Sequence, residues 1–300
     1  MANLKEVRDR IQSVINTQQI TKAMKMVSAS KLRRAQDAIV QMRPYANKLN
    51  EMLRNILSNL EGDIDTSFGQ ERPIERACVV VITSSRGLCG AFNANIIKEA
   101  VLTIDNKYAD VRAKGHLDII TIGKKGYEFF KKPAYKDCRV FNDYVELFHD
   151  LSFDNVAVVS KRIMDCFSRE LYDSVTVAYG QFKNAAVQIP VAEQFLPVAK
   201  IEKTADGEES GMKADYIFEP DKKALLEHLV PSIIQTQFQK FVLDTHASEH
   251  GARMTAMDAA TENAQELLGN LRLSYNKARQ EAITNEILEI VGGAAALSNG

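Results

Sequence analysis

Apolar residues at Leu32, Ala35, Ile39, Met42, Ala46, Leu49, Leu53, Ile56 and Leu60 alternate spacings of three and four, the signature of a heptad seam. Leu4, Val7, Ile11 and Val14 fall in the same register, and between the two runs the frame passes through Gln18, Thr21, Lys25 and Ser28. The seam keeps its phase while its chemistry turns polar, which predicts one continuous helix whose partner or surroundings change there. Residues 3–60 include a single proline, Pro44, and no glycine, so the helix can reach roughly 85 Å at about 1.5 Å per residue. Segment 1–62 is assigned to this N-terminal coiled-coil helix.

A second long helical stretch follows Pro231 and runs to about Val291, with Ala264, Leu268, Leu271, Tyr275, Ala278 and Ala282 again spaced four and three. Gly251 and Gly269 weaken it by roughly 1 kcal/mol each relative to alanine, which packing can offset. Segment 221–297 is its domain. Two terminal helices of similar length around a globular insert pair most simply as a long antiparallel coiled coil.

The insert, 74–200, changes period. RACVVVIT, LDIITIG and SVTVAYG are short β-branched runs of the kind buried on both faces. Helical stretches at 95–108, 125–131 and 153–171 separate them, implying right-handed crossovers and a Rossmann-like α/β domain with a mainly parallel, doubly wound sheet. VQIPVAEQFLP, interrupted by Pro190, reads as an edge strand or hairpin arm. EKTADGEESGMK, 202–213, reads as an exposed loop within a linking segment, 201–220.

Composition refines this picture without overturning it. With 45% apolar residues and a net charge of -1, the chain is a core-forming protein and not a uniformly basic nucleic-acid coat. The charge is uneven: eight lysines and arginines before Gln36 face only Glu6 and Asp9, whereas 281–300 carry three glutamates and no basic residue. Four cysteines without a Cys-x-x-Cys pair fit a reducing compartment. The opening MANLKEVRDRIQSV places charges where a signal peptide has its apolar core, and no run of eighteen apolar residues occurs.

Three constellations invite chemistry. SSRGLCGAFN, 84–93, follows a buried strand and opens a helix, as a phosphate-binding loop does. It lacks the Gly-Lys-Ser/Thr end of a Walker A loop, and Gly87 and Gly90 do not complete a dinucleotide fingerprint. A structural tight turn is expected, with Arg86 as an anchor or subunit contact. His246, Glu249 and His250 spell the inverted zinc-peptidase pattern, but a hydrolytic site needs a third ligand and a cleft. No metal, cofactor or catalytic residue is expected. The basic stretch holding Lys22, Lys25, Lys31, Arg33 and Arg34 has two readings. One is a coiled-coil arm that binds nucleic acid; the other, favoured by the interleaved Met24, Met26 and Val27, is a contact for an acidic and apolar protein surface.

IQSVINTQQITKAMKMVSASKLRRAQ, SSRGLCGAFN and the ending ASEHGARMTAMDAATENAQELLGNLRLSYNKARQEAITNEILEIVGGAAAL together resemble the gamma subunits of F-type ATP synthases, from end to end and in the same order. The chain has no chloroplast-type regulatory insert, which points to the bacterial form. The resemblance implies a non-catalytic rotor shaft inside a ring of alpha and beta subunits. Its foot would meet the epsilon subunit and the c ring, with no nucleic acid partner, on the cytoplasmic face of the inner membrane and peripheral to it. By the same resemblance, Lys22, Met24, Lys25, Arg279, Gln280 and Thr284 meet the ring, and Tyr216, Phe218 and Glu219 touch the foot partners.

Overall fold

The computed structural model describes residues 4–58, 68–70, 72–198 and 222–298. The elements in chain order are helix α1 (Leu4–Ser58), β1 (Ala77–Ile82), α2 (Phe92–Lys107), α3 (Ala109–Ala113), β2 (Leu117–Ile122), α4 (Lys124–Phe130), β3 (Arg139–Phe141), α5 (Phe153–Ser168), β4 (Ser174–Phe182), β5 (Gln188–Leu196) and α6 (Lys222–Ser298). The chain divides into two compact units, one of residues 1–28 with 253–300 and one of residues 29–252.

In the larger unit the strands form one sheet in the order β3-β2-β1-β4-β5. β1 pairs in parallel with β2 and β4, β2 in parallel with β3, and β5 runs antiparallel along β4. Every residue of β1 is buried, as a central strand covered on both faces requires. Alternate residues divide between two cores. Cys78, Val80 and Ile82 join Val159, Ile163 and Phe167 of α5 and Ile234, Phe238 and Phe241 of α6. Val79 and Val81 join Phe92, Ile96, Ala100 and Ile104 of α2. The sheet bends tightly into α4 at Gly123, whose φ is +90° and where a Cβ would fall 2.0 Å from the Thr83 carbonyl oxygen, a place only glycine can occupy.

The smaller unit holds the N-terminal part of α1 against the C-terminal part of α6. Arg8 bonds Tyr275, Gln18 bonds Gln265, Thr21 bonds Thr261 and Lys25 bonds Asp258. As the α1 position climbs from 8 to 25 its α6 partner falls from 275 to 258, so the two helices run antiparallel in a fixed register. Val7, Thr21 and Ser28 are buried, and Ala264 and Leu268 are buried opposite, along the expected seams.

Several details differ from the sequence-based expectations. Pro231 lies inside α6 instead of preceding it. An interior proline costs a helix roughly 3 kcal/mol, but burial of Ile234, Phe238, Phe241 and Val242 just beyond it more than offsets that cost. α3 and the three-residue β3 carry no periodic signal long enough to predict. Leu60, the 202–213 loop and Tyr216, Phe218 and Glu219 lie outside the described residues.

Candidate functional site

In a doubly wound sheet, ligands enter at the carboxyl ends of the strands where the strand order reverses, here between β1 and β4. Two features occupy this place. At the end of β1, the Ser84 N–H donates to Asn93 Oδ1 (2.9 Å) and the Ser84 hydroxyl donates to the Arg86 carbonyl (2.6 Å). Asn93 Nδ2 donates to Ser84 Oγ (2.7 Å) and to Cys89 Sγ (3.2 Å). Leu88 and Gly90 adopt φ of 63° and 59°, left-handed values that fold the loop back on itself. The amide and hydroxyl a phosphate would need at Ser84 are therefore committed within the turn of Arg86, Gly87 and Gly90.

At the end of β4, α6 closes the crevice. The Gly180 N–H donates to Thr245 Oγ1 (3.4 Å) and Ser248 Oγ donates to the Gly180 carbonyl (3.0 Å), all in the buried interior. The Thr245 and Ser248 hydroxyls of α6 thus meet both backbone polar groups of Gly180 in the interior. Burial raises the thiols of Cys78, Cys138 and Cys166 above the ordinary value, disfavouring their reactive thiolates. His246 and His250 bring their Nε2 atoms to 3.1 Å, with Phe148 stacked on His246. No group of three His, Cys, Asp or Glu side chains placed to hold a metal occurs among the described residues.

The surfaces of the smaller unit are of another kind. Lys22 is exposed, whereas Met24 and Lys25 are half-buried beside α6. Lys25 forms an ion pair with Asp258, so one cation of the basic stretch carries a counter-charge that the sequence of α1 does not reveal. The sequence signal for it was the single aspartate in MTAMDAAT, legible only once the register between the helices is known. Arg8 donates to the Tyr275 hydroxyl (2.9 Å) and lies 5.8 Å from the ring centroid, and this bond lowers the Tyr275 phenol below its usual value.

Arg279, Gln280 and Thr284 are exposed, and Thr284 Oγ1 donates to the Gln280 carbonyl one turn back (2.9 Å). From Arg279 to residue 294 every side chain of α6 is exposed, because α6 there outruns the described part of α1. Ile283, Ile287, Leu288, Ile290 and Val291 present an apolar surface along this stretch. Such a surface fits contact with other proteins better than a solvated end.

A family model described as ATP synthase matches residues 3–297. The chain is similar to the ATP synthase gamma chain of Cytophaga hutchinsonii, 52% identical over 100% of each chain, and to that of Flavobacterium psychrophilum, 52% identical over 99% of each. Its fold is similar to a chain in the cryo-EM structure of the Euglena gracilis mitochondrial ATP synthase (OSCP/F1/c-ring, rotational state 3), with TM-score 0.65 and 23% identity over 98% of this chain and 94% of that one. With the full-length match to the family model and half of all positions shared with named relatives, this chain belongs to the ATP synthase gamma chain family.

Proposed function

We infer that the chain is the central rotor shaft of a proton-translocating F-type ATP synthase, transmitting rotation of a membrane c ring to the alpha and beta subunits that make or hydrolyse ATP. The observation that carries this reading is the full-length similarity to ATP synthase gamma chains at 52% identity. The chain is itself non-catalytic: the crevice where a doubly wound fold binds ligands is occupied by the Ser84–Asn93 turn and by Thr245 and Ser248 of α6. An asymmetric shaft presents a different face to each catalytic subunit, so contact energy at its surface is exchanged for changes in nucleotide affinity at distant sites.

Lys22, Met24 and Lys25 on α1, with Arg279, Gln280 and Thr284 on α6, form the contacts to the alpha and beta ring. Methionine at 24 suits a surface that must meet three equivalent partners in turn, being flexible and without directional bonds. Tyr216, Phe218 and Glu219 touch the c ring and the epsilon subunit. By the same similarity the chain is held at the cytoplasmic face of the inner membrane through its partners; among the described residues no helix is long and apolar enough to cross a membrane. The nucleic-acid alternative loses ground because Lys25 is paired within the protein.

Reconstitution tests the reading. Alpha and beta subunits are combined with and without the full chain, and ATP hydrolysis is measured beside equilibrium titration of a labelled nucleotide into the chain alone. The expected result is sustained hydrolysis that requires the chain, which by itself neither hydrolyses nor tightly binds ATP. Unchanged hydrolysis without the chain, or stoichiometric micromolar nucleotide binding to it, overturns the reading.

A further inference from the structure

The rotor reading leaves one side-chain constellation unused. His246 and His250 stand one turn apart on α6, so their rings share a face of the helix. Their Nε2 atoms converge to 3.1 Å and their rings meet edge to face with centroids 4.6 Å apart. His250 is 5% exposed while His246 is partly exposed, which gives the pair one open side. Phe148 stacks on the His246 ring at 5.9 Å and 24°, holding its plane.

In the absence of a cation this approach requires a single proton between the two nitrogens, one ring donating and the other accepting. The same geometry suits a metal. Two imidazole nitrogens bound to one zinc at roughly 2.0–2.1 Å in a tetrahedral array stand about 3.3 Å apart. The observed 3.1 Å differs from this by a small ring rotation. Imidazole pairs separated by four residues on a helix are a recurrent zinc-binding arrangement, and imidazole also suits copper and nickel.

We propose that His246 and His250 form a two-histidine chelate for a divalent transition-metal ion such as Zn2+. It is not a hydrolytic centre, since no third protein ligand joins the pair among the described residues; water completes the coordination on the open side. A bound ion clamps the turn of α6 that also carries Ser248, the residue that bonds the Gly180 carbonyl. Occupancy therefore stabilises the attachment of α6 to the sheet, because the native helix presents both ligands together and the unfolded chain does not.

The test is calorimetric titration of ZnCl2 into the chelator-treated full chain, with melting curves taken with and without the metal. One equivalent is expected to bind and to raise the melting temperature. His246→Gln or His250→Gln should weaken binding at least about ten-fold and abolish the metal-dependent rise, since each removes half of the chelate. His149→Gln should bind as the parent does, because His149 is exposed on the surface beside Glu146. A His246→Gln chain that binds zinc as tightly as the parent overturns the proposal, as does the absence of saturable binding below millimolar zinc. Because replacing the buried His250 can disturb folding, Cu2+ bound to the unmodified chain supplies a second readout. Its electron paramagnetic resonance spectrum should show two coordinating nitrogens, and a spectrum with none or one contradicts the proposal.

Discussion

Asp244 lies one residue before Thr245 in the interior of α6, 6% exposed, and burial raises its carboxyl to about 6, with Lys240 and Arg43 pulling it partly back and Glu193 adding to the rise. A carboxyl whose folded value lies above its unfolded one contributes stability in full below the unfolded value, near 4, and loses it as pH rises through the folded value. Ionising Asp244 at neutral pH therefore costs the fold on the order of 2–3 kcal/mol. Asp244→Asn should melt above the parent chain at pH 7.5, with the gap closing as pH falls towards 4; an equal gap at both pH values would show that the charge is not the cause. Sequence reading identified neither this residue nor Thr245 and Ser248. A polar residue on a long helix reads as surface by default, and only the topology of the sheet reveals that this face is interior. The closure of the Ser84–Asn93 loop was not legible: a side chain reaching back nine residues to Ser84 leaves no local pattern.

At the scale of elements, the long helices and the three central strands were the most legible parts. Their periods of 3.5 and their continuous β-branched runs persist long enough to outvote local noise. α3 and β3 were missed for want of length, and the start of α6 was displaced by giving Pro231 more weight than the buried residues that follow it. Polar seam positions Gln18, Thr21 and Lys25 were visible in the sequence, but Gln265, Thr261 and Asp258 opposite them were not. Register between two helices is a relation that neither helix encodes alone. The seam itself is open to a controlled test. Leu268 is 4% exposed and Leu273, on the same helix, is 70% exposed. Leu268→Asp places a carboxylate in the apolar seam at a cost on the order of 3 kcal/mol or more, whereas Leu273→Asp costs little. Thermal melts followed by helicity, together with the yield of assembly with alpha and beta subunits, should fall for the first substitution alone. Equal behaviour of the two would mean that the helices do not pair along this seam.

For the whole molecule, function was legible through resemblance and hardly through chemistry, and there is a physical reason. A rotor acts through surfaces that must slide past several partners; its marks are long helices, uneven charge and an apolar stretch of α6 lacking a partner helix in the described chain. Of the residues proposed to meet the ring, Gln280 and Thr284 are joined only by a local bond one helical turn long, which any helical threonine can make and which marks no site. The account is tested most directly by watching the chain turn. A complex of alpha and beta subunits with this chain is fixed to a surface through beta, a probe is attached to an engineered cysteine on the exposed surface of α2, such as Lys98→Cys, and the probe is followed as ATP is added. The account predicts unidirectional rotation that depends on ATP, stops when nucleotide is removed and pauses at three equivalent positions. Steady ATP hydrolysis by the same complex with the probe stationary would contradict it.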